Sequence, residues 1–420
     1  MFQGGKALIL CSILPVKMML LSANRSEASF AISHLTTGRC WTRLSSTIIY
    51  THDRILPLER PPDPSSFLSS NTDTDETNSD DYMHKQAAIL HEWMRHKKSI
   101  ICISGAGMST DSGIPDYRGN NGSYFRGHKP IIHHEYMTSS YSRKRYWARS
   151  LVGYSPFANA RPNIGHVALT KLENLGYIGV QLKNDCNDHF DKLGLSCFGP
   201  LDTPFNGTQD DVPPSRRRIS IITQNVDTLH SKAGVKHCLH LHGRGDLIKC
   251  MNCGYIRDRN DYHNELTQLN KDWLNKAISS SDGVAGSTEL RPDGDATLNE
   301  NISYDELILP PCSQCGNPIF KTDVVFFGDN IPKHRHDIAN AAIDAADGVL
   351  CIGTSLTVHS AYRLVTRGIK NGTPVAILNV GETRVEREGM GKENGLVTKI
   401  EAPIGDTLNK VVNMIETNQR

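Results

Sequence analysis

The sequence has no uninterrupted apolar run near the ~20 residues that a membrane-spanning helix needs, so it predicts no membrane span. It also has almost no net charge, because 46 Lys and Arg face 45 Asp and Glu and leave a formal charge of +1. Such a balance gives no electrostatic reason to expect nucleic acid or an acidic membrane as a partner. No internal repeat is present, and 420 residues suffice for two or three domains.

The cysteines lack the spacing of a disulfide framework. Of eleven cysteines, seven are scattered, and the other four form two C-x-x-C pairs, Cys250 with Cys253 and Cys312 with Cys315. Each pair is followed by a glycine, in "CMNCG" and "CSQCG". This usage favours a thiol-reducing compartment and a bound metal over a set of bridges. Two such turns can bring four thiolates to one tetrahedral Zn²⁺, with S–Zn distances near ~2.3 Å.

The predicted zinc site is structural, because four thiolates leave no coordination position for a reacting water. Residues 254–311 separate the two pairs. This separation exceeds the roughly fifteen to twenty residues of a zinc ribbon, and we expect a small subdomain between the pairs. A nucleic-acid-binding zinc ribbon is the competing interpretation, but neither the residues between the ligands nor the acidic residues nearby support it.

The first 52 residues form a basic leader, with one acidic residue, Glu27, against five Lys and Arg and many Ser and Thr. This composition is typical of an organelle transit peptide, and we expect mitochondrial targeting. A disordered tail, a plastid address, or a secretory signal built on "ALILCSILPV" is the alternative. The polar stretch Ser69–Asp81 predicts a linker. We therefore expect a transit peptide and disordered linker over residues 1–81 and a catalytic domain over 82–420.

Apolar strands alternate with helices after that boundary. Short apolar runs predict strands at "SIICIS", "ISIITQNVD", "DVVFFGD", "GVLCIGTSL" and "PVAILNVG". Helical spacing marks "YMHKQAAILHEWMRHKK", "HVALTKLENLG", "IANAAIDAA" and "AYRLVTRGIKNG". This alternation predicts an α/β fold, a parallel sheet with helices on both faces. The stretch Gln181–Arg218 has no clear period and predicts an exposed insertion.

Glycine and polar residues collect where these strands end, and ligands of parallel sheets bind at that carboxyl edge. The first loop, "GAGMSTDSGIPDYRG", has Thr110 where the dinucleotide fingerprint G-x-G-x-x-G places its third glycine. Further clusters are "TQNVDTLH", "HLHGRGD", "GTSL" and "NVG", whose amides, hydroxyls and backbone N–H groups suit phosphate and ribose. Taken singly, each also fits an ordinary turn, a packed histidine or the start of a helix. A dehydrogenase would use such a sheet, but it would have the third glycine and an acidic residue ~20 residues further on.

In their order along the chain, the glycine loop, "TQNVDTLH", "LHG", the paired "CxxCG" knuckles, "DVVFFGD", "GTSL" and "NVG" resemble the sirtuin family of NAD-dependent protein deacylases. The resemblance covers roughly Tyr82 to the C-terminus, apart from the insertion. "RYWAR", "RPDGD" and Trp273 resemble the class II branch, which includes the mitochondrial sirtuin-4. The resemblance implies a Rossmann-like sheet plus a small zinc-binding and helical module over roughly residues 243–322. NAD and acyl-lysine would enter between them.

The resemblance also implies roles for individual residues. NAD, a co-substrate, would be held by Gly105, Ala106, Gly107, Thr110, Asp116, Tyr117, Arg118, Gln224, Asn225, Asp227, Gly353, Thr354, Ser355, Asn379, Val380, Gly381 and Ile404. His242 matches the catalytic base, with an ordinary pKa near ~6.5. The acyl group would pass from lysine to ADP-ribose, with release of nicotinamide. Protein mono-ADP-ribosylation, or NAD sensing without turnover, is the alternative on the same fold.

Two expectations concern the setting of this chemistry. The leader and the resemblance agree on the mitochondrial matrix, with a plastid or nucleocytoplasmic location as the alternative. The partners would be acyl-lysine proteins. Tyr124 and Arg126 are spaced Y-x-R, whereas succinyl-preferring relatives have Y-x-x-R, and this difference favours longer or branched acyl groups.

Overall fold

The structure is a computed structural model that describes residues 75–119, 122–124, 129–182, 218–279, 291–298 and 302–418. The predicted transit peptide, Arg126 and most of the predicted insertion lie outside these residues. The first helix, α1 (Asp75–Arg95), begins within the predicted linker. The segment Asp75–Asp81 is therefore helical, which corrects the prediction. Acidic residues are favourable at the N-terminal end of a helix, because they face the positive end of its dipole.

Helices and short strands alternate along the described part of the chain. The helices after α1 are α2 (His133–Thr138), α3 (Ser140–Asn159), α4 (Ile164–Asn174), α5 (Leu229–Lys232), α6 (Arg259–Leu269), α7 (Lys271–Ser279), α8 (Lys333–Ala345), α9 (His359–Lys370), α10 (Arg384–Arg387) and α11 (Ile404–Asn418). The strands are β1 (Ile100–Ser104), β2 (Val180–Gln181), β3 (Arg218–Ile219), β4 (Ile221–Thr223), β5 (Cys238–His240), β6 (Gly243–Cys250), β7 (Ile256–Asp258), β8 (Phe320–Val324), β9 (Gly348–Ile352), β10 (Val375–Leu378) and β11 (Val397–Ile400). None of the described helices is long and apolar enough to cross a membrane.

The central sheet has the strand order β11-β10-β9-β1-β4-β5, and its neighbouring strands run parallel. Side chains of the buried strand β1 alternate between the two faces. Ile101 and Ile103 pack with α8 and α9 in one core. Ile100 and Cys102 pack with α1, α4 and α11 in the other. The prediction of an α/β fold, with a parallel sheet covered on both faces, is confirmed.

One strand prediction is wrong. The sequence predicts "DVVFFGD" as part of the parallel sheet, but only Asp323 and Val324 of this motif are in a strand, β8. That strand pairs antiparallel with β6 in a separate sheet of order β7-β6-β8. An apolar run indicates that a strand is buried, but it does not show which neighbour pairs with it. Here the second cysteine pair precedes β8, and the chain returns alongside β6.

The ends of the predicted insertion meet as a short antiparallel ladder. Val180 lies opposite Ile219, and Gln181 lies opposite Arg218. The Arg218 guanidinium also donates to the Ile178 carbonyl oxygen at 2.8 Å. Gln181 and Arg218 are therefore strand residues, which corrects both edges of the insertion. The described residues on the two sides of positions 183–217 therefore lie next to each other.

A smaller module is built on the β7-β6-β8 sheet. It begins at Gly243 in β6 and ends at Val324 in β8. Its core is aromatic: the Trp147 and Tyr262 ring centroids are 4.6 Å apart, and those of Tyr262 and Phe320 are 5.3 Å apart. Trp147 comes from α3, so this helix supplies part of the core of the smaller module.

Candidate active site

The carboxyl ends of β1 and β9 meet in a close backbone junction. The Gly107 N–H donates to the Gly353 carbonyl oxygen at 2.9 Å. A Cβ on Gly105 would lie 2.6 Å from the Thr354 Cβ, a distance that real side chains do not adopt. Gly353 itself has φ +57°, in the left-handed region that favours glycine. These glycines are therefore required for the approach of two loops, and their approach places both loops at one edge of the sheet.

Two consecutive turns of 3-10 helix lie on either side of Ser109, and the second begins at Thr110, where the fingerprint would have its third glycine. The first covers Ala106–Met108 and the second covers Thr110–Ser112. The exposed Thr110 side chain donates its hydroxyl hydrogen to the Gly107 carbonyl oxygen at 3.0 Å. Because the threonine closes the first turn in this way, the loop needs no glycine at that position.

A buried polar network joins this loop to the end of β4. The Asn225 side-chain amide donates to the Gly105 carbonyl oxygen at 3.0 Å and to the Ser109 hydroxyl at 3.1 Å. The Ser109 hydroxyl donates in turn to the Asp227 carboxylate at 2.6 Å. Asn225 and Asp227 are both buried, and burial raises the pKa of the Asp227 carboxyl. The network fixes two of the predicted NAD ligands in one arrangement.

His242 is half-buried and makes a hydrogen bond through each ring nitrogen. Its Nδ1 lies 3.1 Å from the Gln224 carbonyl oxygen, and its Nε2 lies 2.8 Å from the Ser360 hydroxyl. Because a carbonyl oxygen only accepts, Nδ1 carries the hydrogen, and the lone pair of a neutral ring is on Nε2. Burial and, to a smaller extent, the Arg335 charge lower the pKa of His242 from its ordinary value to about 4. The imidazole is therefore held as a neutral base at physiological pH.

The loop between β9 and α9 reaches the same edge. The Gln224 side-chain amide donates to the Thr354 hydroxyl oxygen at 2.9 Å. Ser355 follows in the same loop, half-buried. Ile404, the first residue of α11, lies against Gly353, since a Cβ on that glycine would be 2.8 Å from the Ile404 Cδ1. The structure therefore brings Ile404 to the predicted NAD edge from a distant part of the sequence.

The turn after β10 lies at this edge as well, two strands from β1. The Asn379 side-chain amide donates to the Val380 carbonyl oxygen at 2.8 Å. Gly381 has φ +82°, and its N–H donates to the Glu401 carboxylate at 3.0 Å. Val380 remains 58% exposed. Since neighbouring strands are ~4.8 Å apart, the turn lies about 10 Å along the edge from β1, within reach of an extended dinucleotide.

The far half of the first loop packs on an aromatic ring. The Asp116 carboxylate accepts the Gly119 N–H at 2.9 Å and closes a turn. The Tyr117 and Tyr124 ring centroids are 5.4 Å apart, and the Arg118 guanidinium lies 4.9 Å from the Tyr124 ring centroid. Tyr117 and Arg118 are therefore held against Tyr124, and Asp116 fixes the turn that follows them.

The two carboxyls of the "RPDGD" segment, of which Asp295 is buried, lie beside this aromatic cluster. Burial raises the pKa of Tyr117, and the nearby Asp293 carboxyl raises it further. The Arg149 guanidinium lies 3.4 Å from the Asp295 carboxylate. Burial and the neighbouring Asp293 nevertheless raise the pKa of Asp295. The segment that resembles the class II branch is therefore next to the loop that carries Tyr117.

The four paired cysteines converge on one point. Their sulfur atoms all lie within 4.8 Å of one another, with 3.6 Å between Cys250 and Cys315 and 3.7 Å between Cys253 and Cys312. A tetrahedron with Zn–S bonds of ~2.3 Å has edges of ~3.8 Å, so the spacing fits one zinc ion. Gly254 and Gly316 have φ of +77° and +71°. The glycines after each pair therefore reverse the chain at a left-handed position, and the four thiolates fit a structural zinc.

Three residues of this region were not predicted from the sequence. The Ser109 hydroxyl bridges Asn225 and Asp227. The sequence feature that could have identified this residue is the presence of a hydroxyl group inside the first glycine loop. Ser360 contacts His242 from the first turn of α9, and Arg335 lies on α8. Neither of these two belongs to a motif, since a serine or an arginine on a helix is ordinary. Only the contact across the fold distinguishes them.

Comparison with known proteins places these features in a family. The sequence pattern of the Sir2 family matches residues 105–187 and 212–360, more than half of the chain. The NAD-dependent protein deacetylase 2 of Bradyrhizobium diazoefficiens is 35% identical over 71% of this chain and 89% of that protein. The NAD-dependent protein deacylase SRT2 of Arabidopsis thaliana is 34% identical over 81% of this chain and 79% of that protein. The NAD-dependent protein deacylase Sirt4 of Drosophila melanogaster is 34% identical over 77% of this chain and 85% of that protein.

Solved structures agree on the fold. A Sir2 enzyme aligns with a TM-score of 0.51 at 22% identity, over 80% of this chain and 99% of that one. A Sir2 variant with a deacetylated p53 peptide and 3′-O-acetyl ADP-ribose aligns with a TM-score of 0.52, also at 22% identity, over 78% and 97%. Sequence pattern, full-length relatives and fold all lead to one conclusion: the chain belongs to the Sir2 family.

Proposed function

We propose that this chain is an NAD-dependent protein lysine deacylase, which moves an acyl group from lysine to ADP-ribose and releases nicotinamide. The observation that carries the proposal is the state of His242. Its Nδ1 hydrogen is fixed on the Gln224 carbonyl oxygen, and burial keeps the ring neutral. A neutral imidazole at the edge of the sheet that carries the glycine junction is suited to remove a proton from a ribose hydroxyl.

The other residues of the site position and desolvate the reactants. NAD, as co-substrate, would supply the ribose carbon to which the acyl oxygen transfers. Asn225 and Asp227 are buried, so they would line a nicotinamide pocket from which water is excluded. Tyr117 and its neighbours would cover the ribose from the far half of the first loop. His242 would then accept the proton at Nε2, and the ribose oxygen would be free to attack the acyl carbon.

The test is the His242→Ala variant, assayed with NAD and an acyl-lysine peptide. We expect this variant to fold and to keep its zinc, but to lose at least about a hundredfold in O-acyl-ADP-ribose formation. The exposed His359→Ala is a matched control and should retain wild-type turnover. Wild-type turnover in His242→Ala would overturn the assignment of the base.

Labelled NAD separates the proposed reaction from its alternatives. Deacylation leaves the label in soluble O-acyl-ADP-ribose, whereas protein mono-ADP-ribosylation leaves it on protein. NAD binding with no labelled product would instead indicate a sensing scaffold. The intact hydrogen-bond network around His242 and Asn225 supports turnover over sensing.

We further propose that the acyl group is longer or branched, and not succinyl. The spacing of Tyr124 and Arg126 supports this choice. The Asp293 and Asp295 carboxyls close to Tyr117 disfavour a further carboxylate in their neighbourhood. A panel of acyl-lysine peptides should show a higher kcat/KM for branched or long neutral acyl groups than for succinyl. The reverse order would contradict the proposal.

We propose the mitochondrial matrix as the location. The acid-poor leader of the first 52 residues supports it. Residues 1–81 fused to a fluorescent protein should enter mitochondria, and a chain that begins at residue 82 should not. Entry of the fusion into plastids would favour the alternative address, and diffuse fluorescence would contradict both.

A further inference from the structure

We propose that Ser360 is the positioning residue of His242, and that it couples the loop after β9 to the catalytic base. This inference rests on the function proposed above. The Ser360 hydroxyl lies 2.8 Å from the His242 Nε2, the nitrogen that must accept the substrate's proton. The two residues are 118 positions apart in the sequence. Ser360 acts through His242, and its effect should therefore fall on the step that uses the base.

The two contacts of His242 together fix its imidazole ring. A neutral ring has one N–H donor and one acceptor nitrogen. The Nδ1–H donates to the Gln224 carbonyl oxygen at 3.1 Å. The other nitrogen, Nε2, is therefore the acceptor and receives the Ser360 hydroxyl hydrogen. With a partner on each nitrogen, both the rotation of the ring and its tautomer are determined. Without Ser360, the Gln224 contact alone would hold the ring.

A loop with a strained backbone positions Ser360 next to the His242 Nε2. Leu356 has φ +54°, which is uncommon for a residue with a side chain, and it is fully buried. Its N–H donates to the Thr354 hydroxyl oxygen at 3.2 Å, just before α9 begins at His359. Strain of this kind persists only where the surrounding structure imposes it, and it is often found at functional sites. The loop conformation therefore sets the position of the Ser360 hydroxyl.

The same loop is also connected to His242 through the hydrogen bonds of Gln224. Its side-chain amide donates to the Thr354 hydroxyl oxygen at 2.9 Å, while its backbone carbonyl accepts the His242 Nδ1 hydrogen. Thr354 and Ser360 thus reach the base from two directions, one through Gln224 and one directly. A ligand that moves the loop would also move the base.

A serine suits both protonation states of the base. The single lone pair of the neutral Nε2 is occupied by the Ser360 hydroxyl hydrogen, so the ribose proton reaches the base through this hydroxyl. Ser360 passes its own hydrogen to Nε2, takes the ribose hydrogen in its place, and then accepts the new Nε2–H. The charged group whose field reaches His242 is the buried Arg335 guanidinium on α8. That charge disfavours the protonated ring, so a partner that accepts the new N–H matters. Alanine can neither donate nor accept.

The experiment compares Ser360→Ala and Ser360→Thr in the full chain, with His359→Ala as a control on the same helical turn. Two rates are measured with one acyl-lysine peptide: exchange of labelled nicotinamide into NAD, and formation of O-acyl-ADP-ribose. Exchange reports bond cleavage before the base acts, and product formation requires the base. We expect Ser360→Ala to lower product formation at least about tenfold, because a displaced base is inefficient, while exchange is retained. Ser360→Thr should restore the ratio of the two rates.

Three results would decide against this role. If Ser360→Ala lowers exchange and product formation in proportion, the serine is structural only. If neither rate changes, the contact does not position the base. If the wild-type chain catalyses exchange but forms no acyl product, the proposed function itself fails, and the role of Ser360 fails with it.

Discussion

The Arg335 guanidinium on α8 lies 2.7 Å from the Asp323 carboxylate on β8, and both side chains are largely buried. The helix α8 packs on the parallel sheet, and β8 belongs to the smaller module. The pair therefore links the two parts of the fold directly behind Gly243, where a Cβ would lie 1.8 Å from the Asp323 carbonyl oxygen. His242 precedes that glycine, so the pair also supports the start of the strand that follows the base.

Removal of this link should destabilise the whole fold. The Arg335→Ala variant leaves a buried carboxylate without its ion-pair partner, and we expect a loss of about 3–5 kcal/mol in the free energy of unfolding. Arg367→Ala is the control, because Arg367 pairs with Asp344 at 2.6 Å on the exposed surface and should cost at most about 1 kcal/mol. Urea unfolding followed by circular dichroism gives both values. Equal losses in the two variants would contradict the prediction.

Loss of one zinc ligand should unfold the smaller module. Structural zinc contributes folding free energy, and both Cys250 and Cys312 are buried. We expect the wild-type protein to contain one zinc ion per chain and Cys250→Ser or Cys312→Ser to be insoluble or zinc-free. Cys238→Ala, at a buried thiol in β5 outside the cluster, should retain zinc. Metal analysis of the purified proteins checks this, and a soluble and fully active Cys250→Ser would count against a structural zinc.

The acid limb of the pH profile should reflect the environment of His242. The base must be neutral, and burial lowers its pKa to about 4. The kcat/KM for acyl transfer should therefore stay nearly constant between pH 7 and pH 5, whereas a base with the ordinary pKa of about 6.5 would lose about 25-fold in kcat/KM. A fall in kcat/KM that begins near pH 6.5 would contradict the prediction.

A folding control is needed at each pH in that experiment. Burial also lowers the pKa values of His166, His230 and His240. Because the unfolded state binds more protons than the native state below the ordinary histidine pKa, these residues cost stability as the pH falls below about 6.5. Circular dichroism at each pH separates lost folding from a titrated base.

The Gly353→Ala substitution should lower the free energy of unfolding far more than the same substitution at another glycine with a left-handed backbone. Gly353 has φ +57°, and its new Cβ would lie 2.5 Å from the Met108 backbone nitrogen. Gly372 has φ +78°, but its Cβ would meet nothing within 4 Å. Gly372→Ala should cost about 1–2 kcal/mol from the backbone alone. Gly353→Ala should cost at least about 2 kcal/mol more and weaken NAD binding, as calorimetric titration would show, and equal costs would contradict the argument.

Most of the local features could be predicted from the sequence. The cysteine pairs, each with a following glycine, and the strand before Gly105 appear where they were expected. In each case the conformation depends on neighbouring residues, which the sequence displays directly. Thr110 stands where a third glycine was missing, and it closes a 3-10 turn whose residues lie next to one another in the chain.

The sequence could not supply features that depend on distant residues. The pairing of β8 with β6, the short edge strands β5 and β11, and the helical start at Asp75 all depart from the local patterns. The lowered pKa of His242 depends on burial, which no motif encodes. The contact between Ser360 and His242 joins a helix to a strand end that periodicity treats as independent.

The sequence by itself determined the chemistry of this protein: four thiolates for zinc, strand-end glycines, amides and carboxyls for a nucleotide, and a histidine for proton transfer. The tertiary structure alone decided how that chemistry is arranged. In the tertiary structure β8 pairs with β6, and His242 is buried so that its ring stays neutral. The Ser360 hydroxyl contacts the His242 Nε2, and the Arg335 guanidinium pairs with the Asp323 carboxylate. The physical reason is that residue type is a property of each position, whereas distance and solvent exclusion arise only when separate elements pack together.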